Sequence, residues 1–514
     1  MARGLTYIKH GGFYMSAIDL RKFILPFALM LLSVCIAFGQ NGPSSPPIYT
    51  NISDGAVTTG KIVDGAVVES KLATDAVTTS KLLDGSVTLP KIAQPHADNI
   101  ASIPDLMGYT GYTPANVYGV EINLATPSAP TFTRLAGAVG KTPGADFNSI
   151  NAFGGRRRCN LSDAGVVNKY YGEVGYTEDG SNGQVMVEQP RFYYKVVPLV
   201  TSPIANGIGS HVTRARYYIS DTMIDGFKLH PAFIKDGLER PKIYLSAYEG
   251  SIYQTGTATY LLNDEQVASF TVDKLCSIAG AKPASGRTQN LTRANSRQLA
   301  ANRGAKWSLA TVQSVSASQL LFLVEYASFN TQAAIGRGVT DKTDDGATNM
   351  SNVTGATTAL GNGSGAAVGT NGLVSITYRG EENFWGNIWK WVDGFNVQGS
   401  SLHYAWIADH DFADDTATGY TNAGFTLAKA NGYVSAFGYS RDYDWLFLPS
   451  AVAGTVDNPV GDYFYQNNAY AGFLVALLGG GWYNGSFTGG CCWDLYHASS
   501  SRNRGIGARS LHVP

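Results

Sequence analysis

The end of the chain, Leu477–Pro514, most constrains the fold, because apolar and polar residues alternate there between clusters of glycine. Trp493 and Leu495 alternate with Asp494 and Tyr496, which is the pattern of a strand with one buried and one exposed face. Gly, Ser, Tyr and Asn are dense around it, and these residue types supply rigid aromatic contact area and adaptable hydrogen bonds. The segment therefore predicts either a binding surface carried on a strand or a glycine-rich loop region that completes a β-fold.

Composition favours a β-rich protein. The 514-residue chain contains 59 Gly and 29 Tyr and few long helical patterns. Its formal net charge is −1 and 15% of its residues are charged, so no overall field would attract nucleic acid or an anionic membrane. We expect an α+β, β-rich fold and no nucleic-acid partner.

The N-terminal region has the three parts of a secretory signal. Arg21 and Lys22 precede an apolar run, Phe23–Phe38, which ends at a small-residue cleavage site. The run is too short for a comfortable membrane span. We therefore predict a cleaved signal peptide over residues 1–39, starting at Met1 or Met15, and an exported protein at the cell surface or outside the cell.

Residues 40–95 combine a Ser/Pro linker with a ten-residue repeat: DGAVTTGKIV, DGAVVESKLA, TDAVTTSKLL and DGSVTLPKIA. One unit has too little apolar surface to fold alone, so units must stack on each other or on other chains. The decads are similar to those of phage tail-fibre and exported bacterial stalks, which are commonly trimeric. We expect a homotrimeric stalk, with a disordered spacer as the alternative, and a connector over residues 96–118.

Short strands separated by turns are expected from residue 119 to residue 250. Val185–Val200 is rich in β-branched and aromatic residues and predicts a strand or hairpin arm. Helical patterns are fewer. Ser285–Gly304 predicts a helix capped by Thr292, and Ser316–Tyr326 predicts a second helix.

The region 251–514 is predicted to be one domain with an insertion. Residues 330–372 are rich in Gly, Ala, Thr and Asn, which predicts a long surface loop. Glu381–Asn396 holds three Trp and two Phe, so we expect it to lie in the core or to line a cleft.

The blocks ENFWGNIWKWVDG, DWLFLPS, GGGWYNG, WDL and IGARSL resemble the target proteins of diversity-generating retroelements, phage members included. The resemblance implies a C-type-lectin-like domain of the formylglycine-generating-enzyme type behind the repetitive stalk. It also implies that residues 479–514 are a variable region, rewritten by adenine-directed mutagenesis, that binds a cell-surface, protein or glycan ligand. Display on a cell surface is expected, with a phage virion tail fibre as the alternative.

The resemblance divides this region into framework and variable positions. Framework positions, expected to be buried, are Trp482, Trp493, Leu495, Ile506, Ala508 and Arg509. Variable positions, expected to contact the ligand, are Gly481, Tyr483, Phe487, Cys491, Cys492, Asp494, Tyr496, His497, Ser501, Arg502, Arg504 and Gly505. From Gly479 onward the chain lacks Lys, Glu, Gln and Met, which an AAY codon cannot reach when its two adenines are randomised. Every variable position holds a residue that such a codon can reach.

Aromatic side chains are expected to anchor the ligand, namely Tyr483, Phe487 and Tyr496. Charge specificity would come from Asp494, His497 and Arg502. The alternative is that some of these aromatic side chains pack in the core.

Other chemistry is less well supported by the residues. Cys491 and Cys492 invite comparison with the copper site of formylglycine-generating enzymes, but no third ligand matches. The acidic run 409–415 lacks the calcium-loop pattern and is expected to be a solvated loop. Arg156–Arg158 is expected to be a surface turn.

We therefore expect no enzyme, no catalytic residue, no cofactor and no metal, since the sequence has no phosphate loop, dinucleotide fingerprint or hydrolase elbow. Export would permit disulfides, and the pairing of Cys159, Cys276, Cys491 and Cys492 stays open. The alternative function is a structural fibre or adhesin whose C-terminal domain only trimerises the stalk.

Overall fold

A computed structural model of the chain describes residues 116–267, 269–287, 289–399 and 402–514. The predicted signal peptide (1–39), the linker and repeat stalk (40–95) and all but the last three residues of the connector (96–118) lie outside the described residues.

Helices are few in the described part of the chain: α1 (Asn151–Gly154), α2 (Arg293–Ala301), α3 (Val312–Tyr326) and α4 (Thr331–Ala334). Helix α2 begins directly after Thr292, whose hydroxyl accepts a hydrogen bond from Asn295 N at 3.2 Å, so the predicted cap is confirmed. Helix α3 begins four residues earlier than predicted, because Thr311 and Ser314 form a capping box there.

Strands of the first half are short and follow one another closely: β1 (Val117–Asn123), β2 (Thr131–Ala136), β3 (Arg157–Leu161), β4 (Val167–Tyr170), β5 (Gln184–Pro190), β6 (Tyr193–Pro203), β7 (Ser210–Ser220), β8 (Lys228–Leu229), β9 (Ile234–Lys235), β10 (Leu238–Glu239), β11 (Lys242–Ser246), β12 (Ser251–Gln254), β13 (Thr259–Leu261) and β14 (Lys274–Cys276). The strand predicted over Val185–Val200 is therefore two strands, β5 and β6, which belong to different sheets.

Strands of the second half continue to the C-terminus: β15 (Trp307–Leu309), β16 (Gly365–Ala366), β17 (Ile376–Tyr378), β18 (Glu381–Glu382), β19 (Trp389–Gln398), β20 (Tyr404–Ile407), β21 (Thr421–Thr426), β22 (Gly432–Tyr439), β23 (Pro449–Val452), β24 (Tyr463–Gln466), β25 (Phe473–Leu478), β26 (Trp493–His497), β27 (Ile506–Gly507) and β28 (Ser510–His512). The β-rich character predicted from composition is confirmed.

Two sheets carry most of these strands. The larger has the path β2-β1-β7-β22-β24-β26-β25-β19-β20-β21, and the second has the order β15-β28-β11-β5-β3-β4. The main hydrophobic cluster draws residues from both sheets and from α3. Every residue of α3 except Tyr326 is buried, which is typical of a helix enclosed on all sides. Glu381–Asn396, predicted to be core or cleft, is buried throughout.

The basic triplet is not a surface turn, and that prediction is wrong. It leads into β3, and Arg156 and Arg158 are buried. Arg156 Nη2 lies 2.7 Å from Glu381 Oε2. Arg158 donates to Gly380 O at 2.8 Å and to the Tyr248 hydroxyl at 3.0 Å. The burial is possible because partners from distant parts of the chain pair with both guanidinium groups, although Arg156 Nε has no hydrogen-bond partner among the described residues.

The region 330–372 has irregular backbone, but the predicted surface location is wrong for its middle. Val339 and Thr357 are fully buried. Thr357 donates its N–H and its hydroxyl to Glu382 Oε2 at 2.7 and 2.6 Å. Trp482 O accepts from Lys342 N at 2.8 Å. Such hydrogen bonds make the region a packed support for the C-terminal segment.

Arg156 is buried and its neighbour Arg157 is exposed, which predicts unequal effects of substituting the two residues. Arg156→Met should lower the free energy of unfolding by about 3–5 kcal/mol, because it leaves the buried Glu381 carboxylate without its cation. Arg157→Met should cost less than about 1 kcal/mol, since Arg157 is 45% exposed at its side chain and its Glu188 contact is a long 3.4 Å. Denaturant unfolding measures both, and equal small losses would contradict the arrangement described.

Candidate ligand-binding surface

The C-terminal segment begins and ends on one buried strand. Lys390 of β19 is the register partner of Leu478 in β25 and also of Gly507 in β27. Leu478 is in turn the partner of Trp493 in β26. Residues 479–505 therefore form two excursions, 479–492 and 498–505, on either side of β26. Their ends are fixed by strand pairing, while the residues between them are free of the sheet.

Below the surface lies a buried frame, to which all six expected framework positions belong: Trp482, Trp493, Leu495, Ile506, Ala508 and Arg509. Trp493 Nε1 donates to Phe447 O at 3.0 Å. Arg509 donates to Ser246 O at 2.9 Å and also to Glu382 O. A buried indole needs such a partner for its N–H, so these contacts fix the orientation of the frame.

Three aromatic side chains stand out from this frame. Tyr483 is 42% exposed, Phe487 is 38% exposed and Tyr496 is 53% exposed. His497 and Ser501 are partly exposed, and Arg502 is exposed. The burial pattern therefore puts these variable positions on the outside and the frame inside.

Two cysteines that were expected to contact the ligand are buried, so that expectation is wrong. Cys491 belongs to the main hydrophobic cluster and Cys492 to a second cluster that contains Trp389 and Leu477. Burial raises the pKa of both thiols well above the ordinary value. Both are free thiols, as are Cys159 and Cys276. The adjacent cysteines therefore pack in separate hydrophobic clusters.

Asp494 was expected to point outward, and its residual exposure of 8% contradicts this. Its carboxylate accepts from Tyr496 N at 2.8 Å, and its Oδ2 lies 3.5 Å from His497 Nε2. Gly481 and Gly505 are buried as well. Asp494 lies between its register partners Tyr465 in β24 and Leu477 in β25, whose side chains flank it on both sides.

Arg504 also differs from its expected role as a ligand contact. Its guanidinium donates to Asp344 at 2.7 and 2.6 Å and to Thr348 O at 2.8 Å. It also lies 5.7 Å from the centre of the Trp482 ring. The side chain therefore joins the second excursion to the 330–372 region, and its donors are already occupied.

Sequence reasoning missed three tyrosines that extend the surface. Tyr433, Tyr463, Tyr465 and Phe487 form what we call the aromatic platform. The Phe487 ring centre lies 4.5 Å from that of Tyr463 and 5.6 Å from that of Tyr433, and Tyr463 lies 4.8 Å from Tyr465. Strand β24 alternates partly exposed and buried residues in the pattern Tyr-Phe-Tyr, and that alternation is the sequence signal that could have revealed the platform.

The platform and the excursions form one continuous surface. Tyr465 of β24 is the register partner of Asp494 in β26, two residues before Tyr496. Within the first excursion, the Asn484 side chain accepts a hydrogen bond from Gly481 N at 2.8 Å. The Tyr483 and Trp482 ring centres are 5.5 Å apart. The exposed aromatic side chains therefore share one rigid support.

The first excursion rests on a buried carboxyl group. Asp462 is fully buried, and its Oδ2 accepts from Cys491 N at 2.6 Å, while its Oδ1 has no partner among the described residues. Burial raises the pKa of Asp462 well above the ordinary value. A Cβ at Gly489 would lie 1.9 Å from Asp462 Oδ1, so only glycine allows this approach.

Within the described residues, no group of three or more His, Cys, Asp or Glu side chains is placed to hold a metal ion. The acidic run 409–415 is partly packed instead of fully solvated as expected. Asp414 Oδ1 lies 2.5 Å from Arg293 Nη2 and 2.8 Å from Arg297 Nη2. No helix in the described part of the chain is long and apolar enough to cross a membrane.

Comparison with known proteins yields weak similarity only. No family model and no curated protein matches the chain. Three solved structures, all variants of the Major Tropism Determinant, are similar to the chain at 14% sequence identity. The U1 and M1 variants each have a TM-score of 0.24, and each match covers 70% of this chain and 71% of the variant. The P3c variant has a TM-score of 0.21, and its match covers 69% of this chain and 71% of the variant. TM-scores this low carry no argument about this chain, so the family assignment made from sequence motifs stays a prediction.

The buried Asp462 carboxyl predicts a pH effect. Because its folded pKa is raised, the folded state keeps a proton that the unfolded state loses above its ordinary pKa of 3.8. The stability of the wild type should therefore fall as pH rises from about 4 toward the folded pKa. Asp462→Asn keeps the shape and stays neutral. The free energy of unfolding of Asp462→Asn minus that of the wild type should therefore increase as the pH rises over this range. Urea unfolding curves recorded at several pH values measure this difference. A difference that is independent of pH would contradict a protonated Asp462.

Proposed function

We propose that the protein is a surface-displayed receptor-binding protein and not an enzyme. Its ligand, a cell-surface molecule, a protein or a glycan, would bind to the exposed side chains of residues 479–514. One observation carries the proposal. The buried frame is fixed by strand pairing and hydrogen bonds, while Tyr483, Phe487 and Tyr496 protrude from it. Large exposed aromatic residues on a monomer surface mark interaction sites.

The chemistry of the surface suits binding. Tyrosine gives a large rigid contact area at low conformational cost, and Ser, Gly and Asn adapt their hydrogen bonds to the partner. The aromatic platform adds anchors that lie next to Phe487. Because the excursions are anchored to sheet strands at both ends and pack on the buried frame, their residues are held in place before the ligand arrives, which lowers the entropic cost of binding.

We further propose that the domain is C-type-lectin-like and that its exposed positions are diversified by a retroelement. Support comes from the AAY-reachable residues and from the exposure of Tyr483, Tyr496 and Arg502. The burial of Cys491, Cys492 and Asp494 narrows the set of positions at which variation would alter ligand contacts. Display on a virion tail fibre is the alternative to a cell surface. The export signal and trimeric stalk stay predictions.

Loss of the protruding tyrosines should abolish binding without unfolding the protein. The double variant Tyr483→Ala and Tyr496→Ala should reduce binding to cells that the wild-type chain binds by more than about 100-fold, since aromatic hot spots each contribute about 2 kcal/mol or more. Flow cytometry with labelled protein measures this. Its melting temperature should match that of wild type. A structural fibre without a ligand surface would show no effect on cell binding.

Two control variants sharpen that experiment. Tyr171→Ala removes a comparably exposed tyrosine far along the sequence and should leave cell binding unchanged. Trp482→Ala should instead destabilise the fold by about 3–5 kcal/mol, because it empties a buried indole site.

Diversification predicts a second, genomic observation. A near-copy of the DNA for residues 479–514 should lie close to the gene, beside a reverse transcriptase. Mismatches between the two copies should be confined to adenines of the template and should fall on exposed positions such as Tyr483 and Tyr496. Sequencing of the flanking DNA tests this, and mismatches spread over all four bases would refute retroelement diversification while leaving the binding function standing.

A further inference from the structure

A shallow groove lies where the loop at Gly286 meets the second excursion. We call it the basic groove, and its lining is Gly286, Arg287, Ala347 and Ser500–Arg504. Gly286 N donates to Asn503 O at 2.9 Å and to Ile506 O at 3.2 Å. A Cβ at position 286 would lie 2.7 Å from Asn503 N and 2.8 Å from Arg502 Cβ. Glycine is therefore required for the two walls to approach this closely.

Arg287 stands on a well-anchored loop. Its N–H donates to Ser285 Oγ at 3.2 Å. Ser285 in turn donates through its N–H and its hydroxyl to the two oxygens of Asp264, at 2.7 and 2.6 Å. Asn349 Nδ2 donates to the same carboxylate at 3.0 Å. The backbone of Arg287 is held against the C-terminal segment before any ligand binds.

The charges of the groove are unbalanced. Of its three arginines, Arg504 is neutralised by Asp344 and Asp345, at 2.6 and 3.2 Å. Arg287 and Arg502 are exposed, and neither has a carboxylate partner within the described part of the chain. No acidic residue lines the groove; the Asp415 carboxylate next to it accepts a hydrogen bond from the Ser499 hydroxyl. Two guanidinium groups therefore face solvent without a counter-charge.

We infer that the basic groove binds an acidic polysaccharide through carboxylates held by Arg287 and Arg502. This inference rests on the proposed function and names the class of ligand. The planar guanidinium fork matches a carboxylate in two parallel hydrogen bonds. The hydroxyls of Ser500 and Ser501 and the amide of Asn503 suit sugar hydroxyls, and the groove is open enough for a chain to pass through. Arg287 lies outside residues 479–514 in sequence, so its contribution to charge recognition would persist if that region changed.

The inference is tested with the full-length protein and a matched pair of probes, trigalacturonate and its fully methyl-esterified form. Calorimetry should detect binding of the acid and none of the ester, and the affinity should fall as NaCl is raised. Arg287→Gln and Arg502→Gln should each weaken binding about tenfold, since each removes a charge-assisted hydrogen bond. Arg191→Gln, which removes an exposed arginine outside the groove, should change nothing.

Three results would overturn the inference. Equal binding of acid and ester would show that charge is not recognised. An unchanged affinity in Arg287→Gln would show that Arg287 does not contact the ligand. Tighter binding of poly-L-glutamate than of trigalacturonate would assign the groove to an acidic peptide.

Cell binding separates a failure of this inference from a failure of the proposed function. If the Tyr483→Ala, Tyr496→Ala pair loses cell binding and trigalacturonate does not bind, the surface recognises a ligand of another class. If the tyrosine pair binds cells as wild type does, the proposed function fails together with the inference drawn from it.

Discussion

The pairing of β19 is the constraint on which the C-terminal surface depends. Lys390 is the register partner of Leu478, where the C-terminal segment leaves the sheet, and of Gly507, where the segment returns to it. Its ammonium group is buried 3.5 Å from Glu249, and burial lowers the pKa of Lys390 to about 8 and raises that of Glu249. Asn383 and Asn387 donate to Glu249 Oε2 and the Lys390 ammonium donates to the Gly386 carbonyl, while Glu249 Oε1 has no hydrogen-bond partner among the described residues. Removal of either charge would leave the other buried and unpaired, so this ion pair anchors the strand from which the surface departs.

Local signals were readable from the sequence. The Thr292 cap, the buried Trp-rich block and the division between Trp493 and Tyr496 follow from side-chain chemistry and from the period of a strand. What the sequence could not reveal is whether an outward face is covered. Asp494 is polar as the alternation requires, yet it is buried between its register partners Tyr465 and Leu477 from the neighbouring strands. Arg156 and Arg158 were misread for a related reason, since their partners Glu381 and Gly380 lie far away along the chain.

The surface itself is assembled from separate parts of the chain. The aromatic platform combines residues of β22 and β24 with Phe487, and the basic groove joins Arg287 to the second excursion. A resemblance confined to the C-terminal motifs cannot identify these contributions. Under the proposed function, binding specificity would have two sources: diversified side chains on the excursions and side chains from the supporting elements outside residues 479–514.

The pairing of Leu478 with Trp493 also determines how the fold responds to a change in the length of the first excursion. Because the first excursion leaves and re-enters the sheet at a single residue pair, residues added in its exposed stretch, Tyr483–Phe487, would extend into solvent without shifting the register of β25 or β26. Loop-closure entropy grows slowly, by about 0.6 kcal/mol for each doubling of loop length. The fold should therefore tolerate insertions in this stretch. Under the proposed function, a longer loop anchored on the same strands would reach a more deeply recessed part of a ligand.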